Sequence, residues 1–187
     1  NVIVKSYNRK SVEQGRHHWK QHMKINENPY HEMERIIQLN QQNFLHVPSL
    51  YGIWLSEKWF YSVLEDCGVD LYDFIKPSKD ANTILLNMSI KDIFKQLVSI
   101  VVQLYEKHHL AHCDLSLENI CINPNNGTIK LIDFGLCKNS YIGGKDKTTR
   151  KNIVDNYSCS GKLIYMSPEK YDTISKPIND GHNSIQN

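Results

Sequence analysis

Apolar residues recur along this chain with two periods, and each period predicts an element. The β-branched run Val2-Ile3-Val4, closing on Lys5, predicts a short buried strand. Residues 6–27 are polar, rich in His, Lys and Gln, and show no sustained periodicity. Asn28-Pro29 punctuates, and Pro29 suits the first turn of a helix. From there Met33, Ile36, Ile37 and Leu39 form an apolar stripe at helical spacing, with Glu32 and Glu34 beside it. Leu50–Leu55 and Trp59–Leu64 predict two strands joined by the turn Ser56-Glu57-Lys58.

Further along, Ser89-Ile90-Lys91-Asp92 resembles a capping box opening the longest helix, with a stripe of Ile90, Phe94, Leu97, Val101 and Leu104. Ile120-Cys121-Ile122 and Ile129–Ile132 flank Asn123-Pro124-Asn125-Asn126-Gly127, which predicts a hairpin. Residues 138–160 are polar, with Gly143-Gly144 and many Ser, Thr and Lys, and predict a mobile loop. Strands precede helices and no segment repeats, so the expected class is α+β with a two-lobed plan.

Composition changes this picture little. A length of 187 residues suffices for one domain with a real core, or for most of a larger one. The formal charge of +2 is too small to predict nucleic acid or an anionic membrane surface as partner. The longest apolar runs fall far short of a bilayer span, so no membrane segment is expected. Five cysteines (Cys67, Cys113, Cys121, Cys137, Cys159) are odd in number and lack metal-site spacing, which predicts free thiols in a reducing compartment. The chain opens on Asn1 without a visible secretory leader, and the default expectation is a cytoplasmic protein. His18 and His22 have the i, i+4 spacing of a metal pair, with His17 adjoining, but no third ligand accompanies them and surface histidines are expected.

The chemistry lies in two segments, His112-Cys113-Asp114-Leu115-Ser116-Leu117-Glu118-Asn119 and Ile132-Asp133-Phe134-Gly135. An acid, an amide five residues on, and a second acid before Phe-Gly form the wiring of a phosphoryl-transfer site. Asp114 would accept the proton of a substrate hydroxyl. Asn119 and Asp133 are hard oxygen ligands of the kind Mg²⁺ takes, and would hold it against the phosphates of ATP.

These motifs, with others in the same order, resemble the eukaryotic protein kinase family across nearly the whole chain. Val2-Ile3-Val4-Lys5 resembles the strand whose lysine pairs the nucleotide phosphates, and Glu32 its helix partner, with Glu34 as the alternative. Glu65-Asp66-Cys67 resembles the hinge between lobes, whose backbone would bind adenine, with Leu64 as gatekeeper and Asp70 placed to reach the ribose. Gly161-Lys162-Leu163-Ile164-Tyr165-Met166-Ser167-Pro168-Glu169 is similar to the loop closing the activation segment. His112, Phe134, Ile36 and Leu50 match the family's stack of side chains linking the lobes, which assigns His112 to packing rather than to base or metal chemistry.

The resemblance implies a two-lobed fold, with a partial N-lobe over 1–66 and a partial C-lobe over 67–169, while the low apolar content of 170–187 predicts a polar, disordered tail. It implies a partial catalytic domain, truncated at both ends. The family's Gly-rich strand pair is not found before Lys5, nor its aspartate helix after Glu169. The expected activity is transfer of the ATP γ-phosphate to serine or threonine hydroxyls of a protein substrate, with ATP and Mg²⁺ required. The alternative is a pseudokinase-like module that binds nucleotide or serves as a scaffold.

The chain also departs from the family pattern. Ser116 stands where most relatives carry a lysine touching the γ-phosphate, and Lys162 where they carry a threonine. We expect an exchanged pair, with the ammonium now coming from the activation segment and the hydroxyl from the catalytic loop. Cys113 replaces the arginine that grips an activation-loop phosphate, so activity should not depend on such a clamp, although Thr148, Thr149, Tyr157, Ser158 and Ser160 could each carry a phosphate. Ile3 replaces the alanine over the adenine and Cys121 lies on its floor, a bulky roof over a small floor that conserves the slot's volume.

Overall fold

A computed structural model describes residues 1–13, 29–76, 89–140 and 161–168. The expectations for His17, His18, His22, Cys159, the loop phosphorylation candidates, Glu169 and the tail lie outside those residues. Strand β1 (Val2–Asn8) pairs antiparallel with β3 (Trp59–Glu65), from Val2 opposite Glu65 to Asn8 opposite Trp59. β2 (Leu50–Leu55) pairs with the other side of β3, giving the order β1-β3-β2. The register shifts between Leu50 and Gly52, and the Trp54 ring packs over Gly52, 2.4 Å from where a Cβ would stand.

Central β3 alternates as period two requires, with Phe60, Ser62 and Leu64 facing inward. β1 corrects the expectation of a buried strand. It is longer than predicted, and Val2, Ile3 and Val4 are about half exposed (53%, 46% and 56%), because β3 is its only strand neighbour among the described residues. Only Lys5 and Tyr7 turn partly inward.

After the short helix α1 (Arg9–Glu13), α2 (Pro29–Gln41) buries Met33, Ile36 and Leu39 in the core. The Asn40 amide donates to Pro48 O and its oxygen accepts from Leu50 N, which clamps the passage from α2 to β2. β4 (Val69–Asp70) leads into the one-turn helix α3 (Leu71–Phe74).

The longest helix, α4 (Ile90–Glu106), opens on the predicted capping box: Ser89 accepts from Asp92 N, and Asp92 accepts from Ser89 N. Its stripe needs correction. Ile93, Ile100 and Leu104 are buried, whereas Ile90 and Phe94 are 83% and 64% exposed. The helix is apolar on two faces, and periodicity alone does not say which one meets the core.

β5 (Leu110–Ala111) pairs with β8 (Lys138–Asn139), and β6 (Ile120–Ile122) and β7 (Ile129–Leu131) form the predicted hairpin, with β4 beyond β6. Among the described residues a single core cluster runs from Met33 and Ile36 under the first sheet to Ile122, Leu131 and Phe134 at the hairpin. No helix among the described residues is long and apolar enough to cross a membrane.

Candidate active site

Lys5 and Glu32 meet between β1 and α2. The ammonium lies 2.5 Å from Glu32 Oε1, and Tyr7 OH donates to Oε2 at 3.2 Å. Glu32 is 4% exposed, so both carboxylate oxygens are held in a place where an unpaired charge would be costly. Glu34, the alternative, has a side chain 64% exposed.

The hairpin carries the other half of the site. Ile120 pairs with Leu131, and one step outward Ile132 N donates to Asn119 O at 3.0 Å. That rung delivers Asn119 and Asp133 to the same end of the hairpin. His112 Nε2 donates to Ile132 O at 3.0 Å, while its Nδ1 accepts from Asp114 N at 3.3 Å. Those two partners require the neutral tautomer protonated at Nε2. Burial holds the imidazole below its ordinary value, in keeping with that form. Its ring stands edge-on to Phe134, centroids 4.8 Å apart, so His112 is a packing and anchoring group, as expected.

Cys113 and Asp133 sit at φ 66° and 63°. Non-glycine residues in that region are uncommon and carry strain that the surrounding structure must hold. Both strained positions adjoin the acids of the site: Cys113 precedes Asp114, and Asp133 is itself one of them. Asp114 is 8% exposed, and Asn119 Nδ2 donates 2.9 Å bonds to both its backbone O and its Oδ2. Asp114 Oδ1 accepts from Lys162 N at 3.2 Å. Asp133 Oδ1 accepts from Gly135 N at 3.3 Å.

The amide of Asn119 is thus spent on Asp114, which aims its oxygen elsewhere, and Asp133 keeps acceptor capacity. These are two hard oxygen ligands that fit Mg²⁺, an ion that completes its shell with water and phosphate oxygens. No cluster of three or more His, Cys, Asp or Glu suited to a metal occurs among the described residues.

Ser116 and Lys162 are brought together as the exchanged-pair expectation requires: Lys162 Nζ lies 3.2 Å from Ser116 Oγ, and Ser116 is 2% exposed. Sequence reasoning missed Glu118, whose Oε1 is 3.0 Å from the same ammonium. A charged residue four positions after the base was its only signal.

Around the expected adenine slot, Leu64, Cys67 and Cys121 are buried and Ile3 lies opposite Leu64. Burial pushes the thiol of Cys67 up to about 12 and that of Cys121 up to about 11, which makes them packing groups. Asp70 is engaged in a way not expected, since its Oδ1 caps α3 by accepting from Asp73 N at 2.8 Å. The side chain of Glu65 is also employed: Lys130 Nζ lies 2.7 and 2.6 Å from its two oxygens, and Ser49 donates from N and Oγ.

The profile described as "Protein kinase domain" matches residues 3–178. Maternal embryonic leucine zipper kinase of Xenopus laevis is 35% identical over 125 residues, covering 66% of this chain and 17% of that protein. Serine/threonine-protein kinase CHK1 of Saccharomyces cerevisiae is 31% identical over 137 residues, 73% of this chain and 24% of that protein. The chain therefore spans about a sixth to a quarter of these relatives. Among solved structures, the Cydia pomonella Granulovirus kinase PK-1 superposes with TM-score 0.57 at 19% identity, covering 90% of this chain and 50% of that one. That last likeness concerns the fold alone.

Proposed function

This chain belongs to the protein kinase family, and from that membership we propose that the protein carrying it transfers the γ-phosphate of ATP to serine or threonine hydroxyls of a protein substrate. The observation that carries the reading is the double anchoring of Asp114, with Asn119 on one carboxylate oxygen and the Lys162 amide on the other. A carboxylate so held cannot swing away, and each oxygen has a further lone pair for an incoming hydroxyl.

Lys5 is assigned to the nucleotide phosphates, and Glu32 with Tyr7 fixes its position. Asn119 and Asp133 are assigned to Mg²⁺, which when bound would neutralise charge on the phosphates. Leu64, Cys67, Cys121 and Ile3 are assigned to the adenine slot, with the hinge backbone at Glu65, and the second carboxylate oxygen of Asp70 to the ribose. The lobes are assigned to 1–66 and 67–169. The odd number of cysteines supports a reducing, cytoplasmic setting.

A scaffold without turnover is not favoured, because Lys5, Glu32, Asp114, Asn119 and Asp133 are all retained. The test is Mg²⁺-dependent ADP release and phosphate incorporation into serine and threonine peptides, with Asp114→Asn as control. Wild type should exceed the variant by about 10²–10⁴-fold, the usual contribution of a positioned acid–base group. Equal rates would end the kinase reading.

A further inference from the structure

A phosphoryl group in flight spreads negative charge over its peripheral oxygens, and a site that transfers it needs cations aimed at that charge. Between 112 and 119 the chain has no lysine or arginine, and Lys5 is assigned to the phosphates of the nucleotide, held there by Glu32. One further lysine, Lys162, is joined to the base through its own backbone amide. Gly161 sits at φ +95°, and a Cβ there would come 2.8 Å from Cys113 O and 3.2 Å from Asp114 Oδ1. Only a glycine lets the chain press that close, and the approach sets Lys162 N on the Asp114 carboxylate at 3.2 Å.

The side chain is then fixed at its tip, by Ser116 Oγ at 3.2 Å and Glu118 Oε1 at 3.0 Å. An ammonium has three N–H donors. Two are taken by described residues, which leaves the third. The side chain remains 42% exposed, and Lys162 and Asp114 line the same cavity of about 190 Å³, with Leu115 and Tyr165 among its walls.

We propose that Lys162 is a catalytic cation, whose third N–H meets an oxygen of the transferring phosphoryl group while Ser116 and Glu118 hold the ammonium in place beforehand. This deepens the kinase reading and rests on it. In the step itself, the bond from the γ-phosphorus to the bridging oxygen breaks and its electron pair leaves with ADP. The substrate hydroxyl oxygen bonds to phosphorus, and its proton passes to Asp114. Lys162 keeps its proton throughout, and its contribution grows as charge moves onto the oxygens it faces.

The experiment compares wild type, Lys162→Met and the double variant Ser116→Lys/Lys162→Met in the protein carrying this chain. It measures kcat, KM for ATP, and affinity for Mg²⁺-ADP with and without aluminium fluoride, a mimic of the planar phosphoryl group. Lys162→Met should lower kcat by about 10²–10³-fold, the usual loss for one transition-state donor. KM should stay nearly constant, ADP should bind as before, and the tightening conferred by aluminium fluoride should vanish.

The double variant should recover at least about tenfold of the lost kcat, because it returns an ammonium to the same spot. A purely structural role for Lys162 predicts neither the fluoride effect nor the rescue. If Lys162→Met fails to bind ADP, Lys162→Gln, which keeps a donor for Ser116 without the charge, must show the same losses. Undiminished kcat or retained fluoride tightening in a folded variant overturns the proposal. If Asp114→Asn also equals wild type the kinase reading falls, and if only Lys162 proves dispensable the kinase reading stands.

Discussion

Glu32 is buried with a partner on each oxygen, one of them 27 positions away in the chain. Glu32→Gln keeps the shape but removes the charge that fixes the ammonium, a contact worth about 1.5–3 kcal/mol. It should therefore lower kcat/KM for ATP by roughly 10–100-fold in steady-state assays, and lower the melting temperature by several degrees. Gly161→Ala should damage the site through the backbone, since a Cβ at φ +95° is strained and meets the Cys113 carbonyl. A loss of roughly 1–2 kcal/mol in denaturant titration, with reduced turnover, is expected. At Cys67 and Cys121, thiols held at about 12 and 11 should resist iodoacetamide at neutral pH and react once urea opens the core, as followed by mass spectrometry. The identities of these residues were legible in the chain. The strain at Cys113 and Asp133, and the diversion of Asp70 to a helix cap, were not, because both depend on what the backbone meets in space.

Among the elements, α4 shows what local sequence can specify. The Ser89–Asp92 box needs only four consecutive residues, so it could be read directly, and Ser89→Ala should cost about 1 kcal/mol of unfolding free energy. The buried face of the same helix could not be read, because Ile90 and Phe94 obey the helical period as well as Ile93 and Ile100 do. β3 and β7 are joined by Lys130 and Glu65, 65 residues apart. Burial pushes the Glu65 carboxyl up, but Lys130 and Ser49 outweigh it and leave it below the ordinary 4.5. A carboxyl depressed in the folded state stabilises above its unfolded value, and that stability is lost as pH falls through the folded value. Lys130→Met should thus be less stable than wild type by about 1 kcal/mol at pH 7, with the gap closing below about pH 4.5 in urea titrations across pH.

Across the whole molecule, Ile36 and Phe134 are fully buried in the one core cluster, with Leu50 packed against it and His112 edge-on to Phe134. Phe134→Ala should cost about 3–5 kcal/mol in denaturant titration, because it opens a cavity where the sheet of β1, β2 and β3 meets the hairpin. The hairpin and the capping box could be read from the sequence, because each depends on residue type and short-range spacing, whereas Lys5 was singled out only through the family resemblance. Tertiary structure alone decided that Val2–Val4 stand half exposed and that Glu118 joins Ser116 on the Lys162 ammonium. Ser116 and Lys162 are 46 residues apart, so their hydrogen bond depends on the path the intervening chain takes rather than on either residue's neighbours.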